Sequence, residues 1–259
     1  MQNSNASIHP EAKIGTNVNI GPYVTIEKNV VIGDGTMIMP HATILDGARI
    51  GKNCRIFPCA VISGIPQDLK FQGEETTAEI GDNTTIREGV TINRGTASKG
   101  KTVIGNNCLI MAYCHVGHDC ILGDNIIISN STQLAGEVTV DDNAVISGGV
   151  LVHQFSHIGA HTMIQGGSKV IKDIPPYITA GRDPLCFVGL NSIGLRRRGY
   201  SIEQIDRIQH IYRLIYQSAL NTTQALEQME RELPESEERS YIESFIKNST
   251  RGIIRGTLE

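Results

Sequence analysis

The stretch Ile104-Gly105-Asn106-Asn107-Cys108-Leu109-Ile110-Met111-Ala112-Tyr113-Cys114-His115-Val116-Gly117-His118-Asp119-Cys120-Ile121-Leu122 places an aliphatic residue at 104, 110, 116 and 122. The same six-residue spacing extends in both directions. From Ile8 to Val170, Ile, Leu or Val fills 25 of 28 such slots. These three residue types make up about a quarter of the chain, so chance would supply about seven. A period of six fits neither face of a helix. It fits a chain that makes a short strand and a corner every six residues and stacks its turns as a parallel β-helix.

Two subsidiary patterns fit tight corners. The slot after the aliphatic residue is often Gly, as at Gly15, Gly33, Gly105, Gly117 and Gly159, and a corner favours a residue that tolerates positive φ. The slot two before it is mostly small, as at Ala42, Cys54, Cys108, Cys114 and Cys120. The last three of these cysteines recur in one slot of successive hexads, on three faces of one coil. They read as reduced core thiols rather than a disulfide or metal set.

The lattice divides the chain into two domains. Residues 1–185 form an all-β solenoid, and residues 186–259 a small α-helical C-terminal domain. After Arg196-Arg197-Arg198 the period becomes helical, with Ile202, Ile205, Ile208, Ile211 and Ile215 on one stripe. Ser201 and Gln204 read as a capping box. Further helices are expected at 222–233 and 236–248, and together they would cap the open end of the solenoid. A net charge of −4 leaves no overall nucleic-acid footprint. The polar start, Met1 to Asn5, lacks the apolar core of a signal peptide, and no apolar run reaches 18 residues. A soluble, cytoplasmic protein with no integral membrane segment is expected.

Slots 68, 74 and 98 hold Asp68, Glu74 and Ser98, so loops leave the solenoid near 65–78 and 95–102. Insertions in solenoids collect on one face and often carry binding residues. The second loop reads as flexible and basic.

If three hexads make one coil, residues 18 apart stack at the strand spacing of about 4.8 Å. His118, Gly136 and Gln154 then form one column, and Asp119 and Glu137 the next. That set suits acyl transfer to a hydroxyl. Imidazole can take the hydroxyl proton near neutral pH. Asp119, at a corner slot, or Glu137 one coil away, could orient the ring and stabilise its cation. A backbone N–H at Gly136 could receive the developing oxyanion, a contribution of roughly 3–4 kcal/mol. The pairs and triples His115, His118 and His153, His157, His161 imitate metal-ligand spacings, but on hexad strands a spacing of four does not bring ligands together.

At these residues the chain resembles the UDP-N-acetylglucosamine O-acyltransferase family, which begins lipid A synthesis in Gram-negative bacteria. The similar stretches are Gly64-Ile65-Pro66-Gln67-Asp68-Leu69-Lys70, Arg94-Gly95-Thr96, His115 to Cys120, Leu134-Ala135-Gly136, Val152-His153-Gln154-Phe155, Asp173 to Tyr177 and Gly194 to Tyr200. The resemblance implies a left-handed parallel β-helix assembled as a homotrimer, with sites between subunits. It implies transfer of an (R)-3-hydroxyacyl group from acyl carrier protein to the glucosamine 3-hydroxyl of UDP-N-acetylglucosamine. No cofactor would be bound by the enzyme; the donor brings phosphopantetheine on its carrier protein.

By the same resemblance, His118 is the general base, Asp119 its partner and Gly136 the oxyanion donor. His115, Glu137, His153 and Gln154 would line the substrate pocket. Gln67, Asp68 and Lys70 would contact the acyl donor, and Asn191 and Arg197 the nucleotide. Gly166 aligns with the position that limits acyl length, about 13 Å above His118 at strand spacing, and its lack of a side chain implies a long chain. Three positions depart from the family: Glu137 and Asn93 stand for a usual His, and Ile193 for a usual Glu. Other readings are a related N-acyltransferase, which normally carries an N-terminal nucleotide-binding domain, a γ-class carbonic anhydrase-like metalloenzyme, and a non-enzymatic scaffold.

Overall fold

The computed structural model describes residues 5–256; residues 1–4 and 257–259, the outer ends of the two expected domains, lie outside the described residues. Most strands are two residues long, one facing out and one facing in. The alternation of a strand sends the aliphatic lattice inward. Ile20, Ile26, Ile44, Ile62, Ile86, Val116 and Ile128 are all at most 2% exposed. Ile8 and Ile14, on the first two strands, are only partly buried.

The strands form three sheets of nine, eight and ten among the described residues, parallel but for one terminal strand of the ten, and visited in that order around each coil. The usual register is 18 residues, as in His115 opposite Gln133 and Gln133 opposite Leu151. Across the insertions, Ala48 pairs with Ala78 and Ile80 with Ile104. These coils are longer by two hexads and by one, so the lattice keeps its phase.

The Gly slot has a different cause from the one expected. Positive φ falls two residues later, at Asn17, Asn53, Tyr113, Asn125, Asp119 and Glu137. The glycines after the aliphatic residue are needed for close approach between coils. A Cβ on Gly33 would lie 2.6 Å from the Gly51 carbonyl carbon, and one on Gly117 would lie 2.7 Å from the Gly136 nitrogen. Neighbouring coils meet there backbone to backbone, and only hydrogen fits.

All six cysteines are free, five buried and Cys59 exposed. Cys108, Cys114 and Cys120 donate weakly to the carbonyls of Gly123, Ser129 and Ala135 at 3.3, 3.1 and 3.1 Å. Thr36 and Thr132 do the same from equivalent slots, to Gly51 and Ser147. Burial pushes the Cys108 thiol up to about 11 and the Cys120 thiol up to about 12, which keeps both protonated and unreactive.

One strand, Cys186–Leu190, lies past residue 185 and pairs antiparallel with Ile178–Gly181. Four helices follow: α1 (Ser192–Arg197), α2 (Ile202–Gln217), α3 (Thr222–Glu232) and α4 (Glu237–Asn248). The Ser201–Gln204 capping box is formed, and Asn221 with Gln224 makes a second at the start of α3. The α2 stripe buries Ile205, Ile208, Ile211 and Ile215, whereas Ile202 is 70% exposed and lies outside it. Tyr212 Oη donates to the Pro176 carbonyl at 2.6 Å and Tyr216 Oη to that of Ile254 at 3.0 Å, fixing α2 to the last coil. Tyr241 Oη donates to Asp141 Oδ2 at 2.5 Å and anchors α4 on the eight-stranded sheet. Among the described residues no helix is long and apolar enough to cross a membrane.

Candidate active site

Three sheets give the prism three edges. Both inserted loops leave the edge between the nine- and eight-stranded sheets, after Val61–Gly64 and after Thr91–Asn93. His118 and Asp119 turn the same edge between strands His115–Val116 and Ile121–Leu122, and Gly136, Glu137, His153 and Gln154 turn it in the coils above.

Asp119 occupies the left-handed corner conformation at φ 59°. That geometry swings its carboxylate back beside the preceding side chain, and His118 Nδ1 lies 2.8 Å from Asp119 Oδ2. Asp119 is fully buried and His118 is 9% exposed. The carboxylate accepts further bonds from Thr96 N at 2.9 Å, Thr96 Oγ1 at 2.7 Å and Lys99 N at 3.2 Å. Burial works to raise the carboxyl, but the bonds from His118, Thr96 and Lys99 outweigh it and hold the group below its ordinary range. An ionised Asp119 can only accept, so Nδ1 carries a proton, and in the neutral ring it is Nε2 that holds the lone pair. Nε2 faces Gly136, where an added Cβ would lie only 2.4 Å away. The Gly136 N–H donates to no protein acceptor among the described residues.

The second loop, read from sequence as flexible and basic, is pinned across this pair. Besides its bonds to Asp119, its Ser98 Oγ donates to Glu137 Oε1 at 2.5 Å and its Lys99 Nζ lies 3.1 Å from Glu137 Oε2. Gly95 passes so close to Lys101 that a Cβ would lie 2.2 Å from the Lys101 nitrogen. Lys99 and Thr102, whose Oγ1 accepts from Asp119 N at 2.9 Å, support the site without having stood out in the sequence, and Thr96, part of the Arg94-Gly95-Thr96 stretch, had no role assigned to it. The spacing of loop residues says nothing about what the loop folds onto.

His115 stands on the nine-stranded face with Nδ1 2.7 Å from Thr91 Oγ1. Burial, and then the neighbouring His118, lower its pKa and favour the neutral ring. His153 Nδ1 donates to the Gln154 carbonyl at 2.9 Å. In the first loop Lys70 N donates to Asp68 Oδ1 at 3.0 Å, and Gln67 and Lys70 are exposed. Asn93 is 6% exposed and donates through Nδ2 to the Ile65 carbonyl at 3.0 Å, tying the base of that loop to the next coil.

Three expected site residues lie on other edges. Asn191 caps α1, accepting from Gly194 N at 3.2 Å and donating to the His161 carbonyl at 2.9 Å. His161 turns the edge between the eight- and ten-stranded sheets, and Arg197 lies exposed on α1 beside it. Gly166 turns the third edge, following Met163–Ile164 of the ten-stranded sheet. The 48 residues from His118 to Gly166 amount to two coils and two further faces, so Gly166 lies higher along the prism and on a different edge of its own chain.

A parallel β-helix of hexads with a histidine–carboxylate pair on one edge is the architecture of a hexapeptide-repeat acyltransferase. Comparison with known proteins agrees: residues 101–136 match the bacterial transferase hexapeptide description, and residues 2–67 the GMPPB C-terminal domain. Residues 173–254 match Udp N-acetylglucosamine O-acyltransferase, Domain 2. The chain is 45% identical over 251 residues to the acyl-[acyl-carrier-protein]–UDP-N-acetylglucosamine O-acyltransferase of Myxococcus xanthus, covering 96% of this chain and 97% of that protein. It is 60% identical to the crystal structure of a UDP-N-acetylglucosamine acyltransferase from Bacteroides fragilis, covering 98% and 100% of the two chains with a TM-score of 0.97. The corresponding enzyme of Francisella novicida gives 41% identity, 98% and 94% coverage and a TM-score of 0.96. The chain belongs to the UDP-N-acetylglucosamine O-acyltransferase family. It is an acyltransferase, and its coils form a left-handed parallel β-helix.

Proposed function

We propose that this protein transfers an (R)-3-hydroxyacyl group from acyl carrier protein to the 3-hydroxyl of the glucosamine ring of UDP-N-acetylglucosamine, the first step of lipid A synthesis. The observation that carries the reading is one ring with two engagements: His118 Nδ1 is held by Asp119, and Nε2 faces Gly136 with its unpaired amide. His118 Nε2 takes the proton of the sugar hydroxyl as its oxygen bonds to the thioester carbon. Negative charge gathers on the thioester oxygen, where the Gly136 N–H can donate to it. Asp119 stabilises the imidazolium formed. The C–S bond then breaks, the imidazolium proton passes to the departing phosphopantetheine thiolate, and the acylated sugar nucleotide is left. The enzyme itself needs no bound cofactor.

His115, His153 and Gln154 would contact the sugar and acyl group from the catalytic edge, with Gln67, Asp68 and Lys70 meeting the donor from the first loop. Asn191 and Arg197 would hold the nucleotide, the guanidinium pairing with phosphate oxygens. Gly166 would floor the acyl groove. These last three face other edges of their own chain, so they join His118 only if a second copy supplies them. A homotrimer with a site at each subunit junction satisfies that geometry. It would have three times the 28.2 kDa mass of the chain. On this reading the reaction would run in the cytoplasm.

The test is incubation with UDP-N-acetylglucosamine and a ladder of (R)-3-hydroxyacyl carrier proteins, followed by mass spectrometry. Mass gain of one hydroxyacyl group, with longer chains favoured, supports the reading. A product only with the 3-amino sugar nucleotide would change the acceptor, and no product with any donor would overturn the reading.

A further inference from the structure

We infer that Glu137 is a positioning residue that acts on the His118–Asp119 pair through the 95–100 loop, rather than a residue that contacts substrate. Both of its carboxylate oxygens are engaged inside the chain, Oε1 by Ser98 Oγ at 2.5 Å and Oε2 by Lys99 Nζ at 3.1 Å. Its side chain is 12% exposed, and that of Lys99 33%. The Lys99 ammonium also donates to the Asp119 main-chain carbonyl at 3.0 Å. One cation therefore bridges successive corners of the catalytic edge.

The loop that Glu137 holds supplies three of the four donors to the Asp119 carboxylate: Thr96 N, Thr96 Oγ1 and Lys99 N. Only the His118 bond comes from elsewhere. Asp119 is fully buried, so losing those donors would leave a charge without solvent and with the His118 bond alone, a costly state that the chain relieves by moving the carboxylate. Movement of the carboxylate turns the imidazole. The two corners are also joined by the main chain, since Glu137 N donates to the His118 carbonyl at 2.9 Å. Left-handed φ values of 59° at Asp119 and 63° at Glu137 fix both side chains on the loop side of the edge. The first loop adds struts, from Ala97 N to Glu74 Oε1 at 3.2 Å and from Thr76 Oγ1 to the Gly95 carbonyl at 2.6 Å.

This inference rests on the proposed role of His118 as base, and the experiment separates the two. Steady-state kinetics would be measured for the wild type, Glu137→Gln, Lys99→Met, Ser98→Ala, Asp119→Asn and the Glu137→Gln/Asp119→Asn double variant, with His118→Ala as reference. Glu137→Gln and Lys99→Met are expected to lower kcat about ten- to a hundredfold, the scale of a small misplacement of reacting groups, with KM for both substrates within about twofold. In the Asp119→Asn background, Glu137→Gln is expected to add almost nothing, because both changes act through one carboxylate. Hydrogen exchange of a peptide spanning 94–101 should quicken in Glu137→Gln and, to a lesser degree, in Ser98→Ala, which spares every ionic group. A raised KM for the sugar nucleotide with unchanged kcat would make Glu137 a substrate contact and overturn the inference. Unchanged kinetics, or an equal loss in the Asp119→Asn background, would overturn it too. Full activity in His118→Ala would instead sink the reading beneath it.

Discussion

A Cβ on Gly136 would lie 2.4 Å from His118 Nε2 and 2.5 Å from Cε1, so the absence of a side chain at Gly136 is what lets the imidazole lie flat along the next coil. The two residues are consecutive members of one corner column, set by the 18-residue register of the strands before them. The ring position and the unhindered amide therefore come from the same vacancy.

Gly136→Ala should separate activity from folding. No positive φ is required at Gly136, and the three atoms nearest the added methyl all belong to the His118 ring. The imidazole must rotate away from Asp119, and kcat should fall about 10²-fold or more, the scale of losing a positioned base. Steady-state assay beside thermal unfolding checks this, with the melting temperature expected to move by only a few degrees.

His161 makes stability depend on pH. Burial first, and then Arg198, depress it to about 4, while Asp142 opposes them. Its Nε2 lies 3.2 Å from Tyr200 Oη, and its ring stacks on Tyr177. A histidine with a folded pKa below its unfolded value stabilises fully above about pH 6.5 and loses that contribution as pH falls toward 4. His161 sits at φ 58°, which Asn tolerates. His161→Asn should lower the melting temperature at pH 8, and its deficit against the wild type should shrink at pH 5. A deficit independent of pH would contradict the argument.

Ile128 represents the lattice at mid-prism, fully buried and paired between Ile110 and Ile146. Ile128→Ala should cost about 2–5 kcal/mol in unfolding free energy, since the stacked coils above and below cannot collapse into the space. Denaturant titration measures it. Activity below the transition should remain near that of the wild type, because the inward residue does not touch the edge.

Placement of His118 and Arg197 on different edges predicts complementation. A site that takes His118 from one copy and Arg197 from the next would be intact when a His118→Ala chain supplies Arg197 to an Arg197→Ala chain. Co-expressed chains should regain part of the activity that each lacks alone. No recovery from demonstrably mixed assemblies would argue that both residues serve from one chain or that Arg197 is dispensable.

The prism was legible because every lattice residue meets the same physical demand, and insertions of whole hexads leave that demand in phase. The His118, Gly136 and Gln154 column was legible for the same reason. The glycine slot was misread, since sequence shows that a small residue is wanted but cannot distinguish left-handed φ from close contact between coils. The partners of Thr96 and Lys99 were not legible, because they depend on how an irregular loop folds back. For Gly166 coil counting gave a rise along the axis, and the face follows from the remainder of two hexads. The strand Cys186–Leu190 and helix α1 are too short for periodicity to reveal. The assignment of substrate roles came from family resemblance and not from spacing.

The most direct test is kcat for UDP-N-acetylglucosamine acylation by the wild type and by His118→Ala, each with the preferred carrier-linked donor at saturation. Loss of the base should lower kcat by about 10²–10⁴-fold with little change in KM. His118→Ala within threefold of wild type would contradict the account and move the catalytic centre away from this edge.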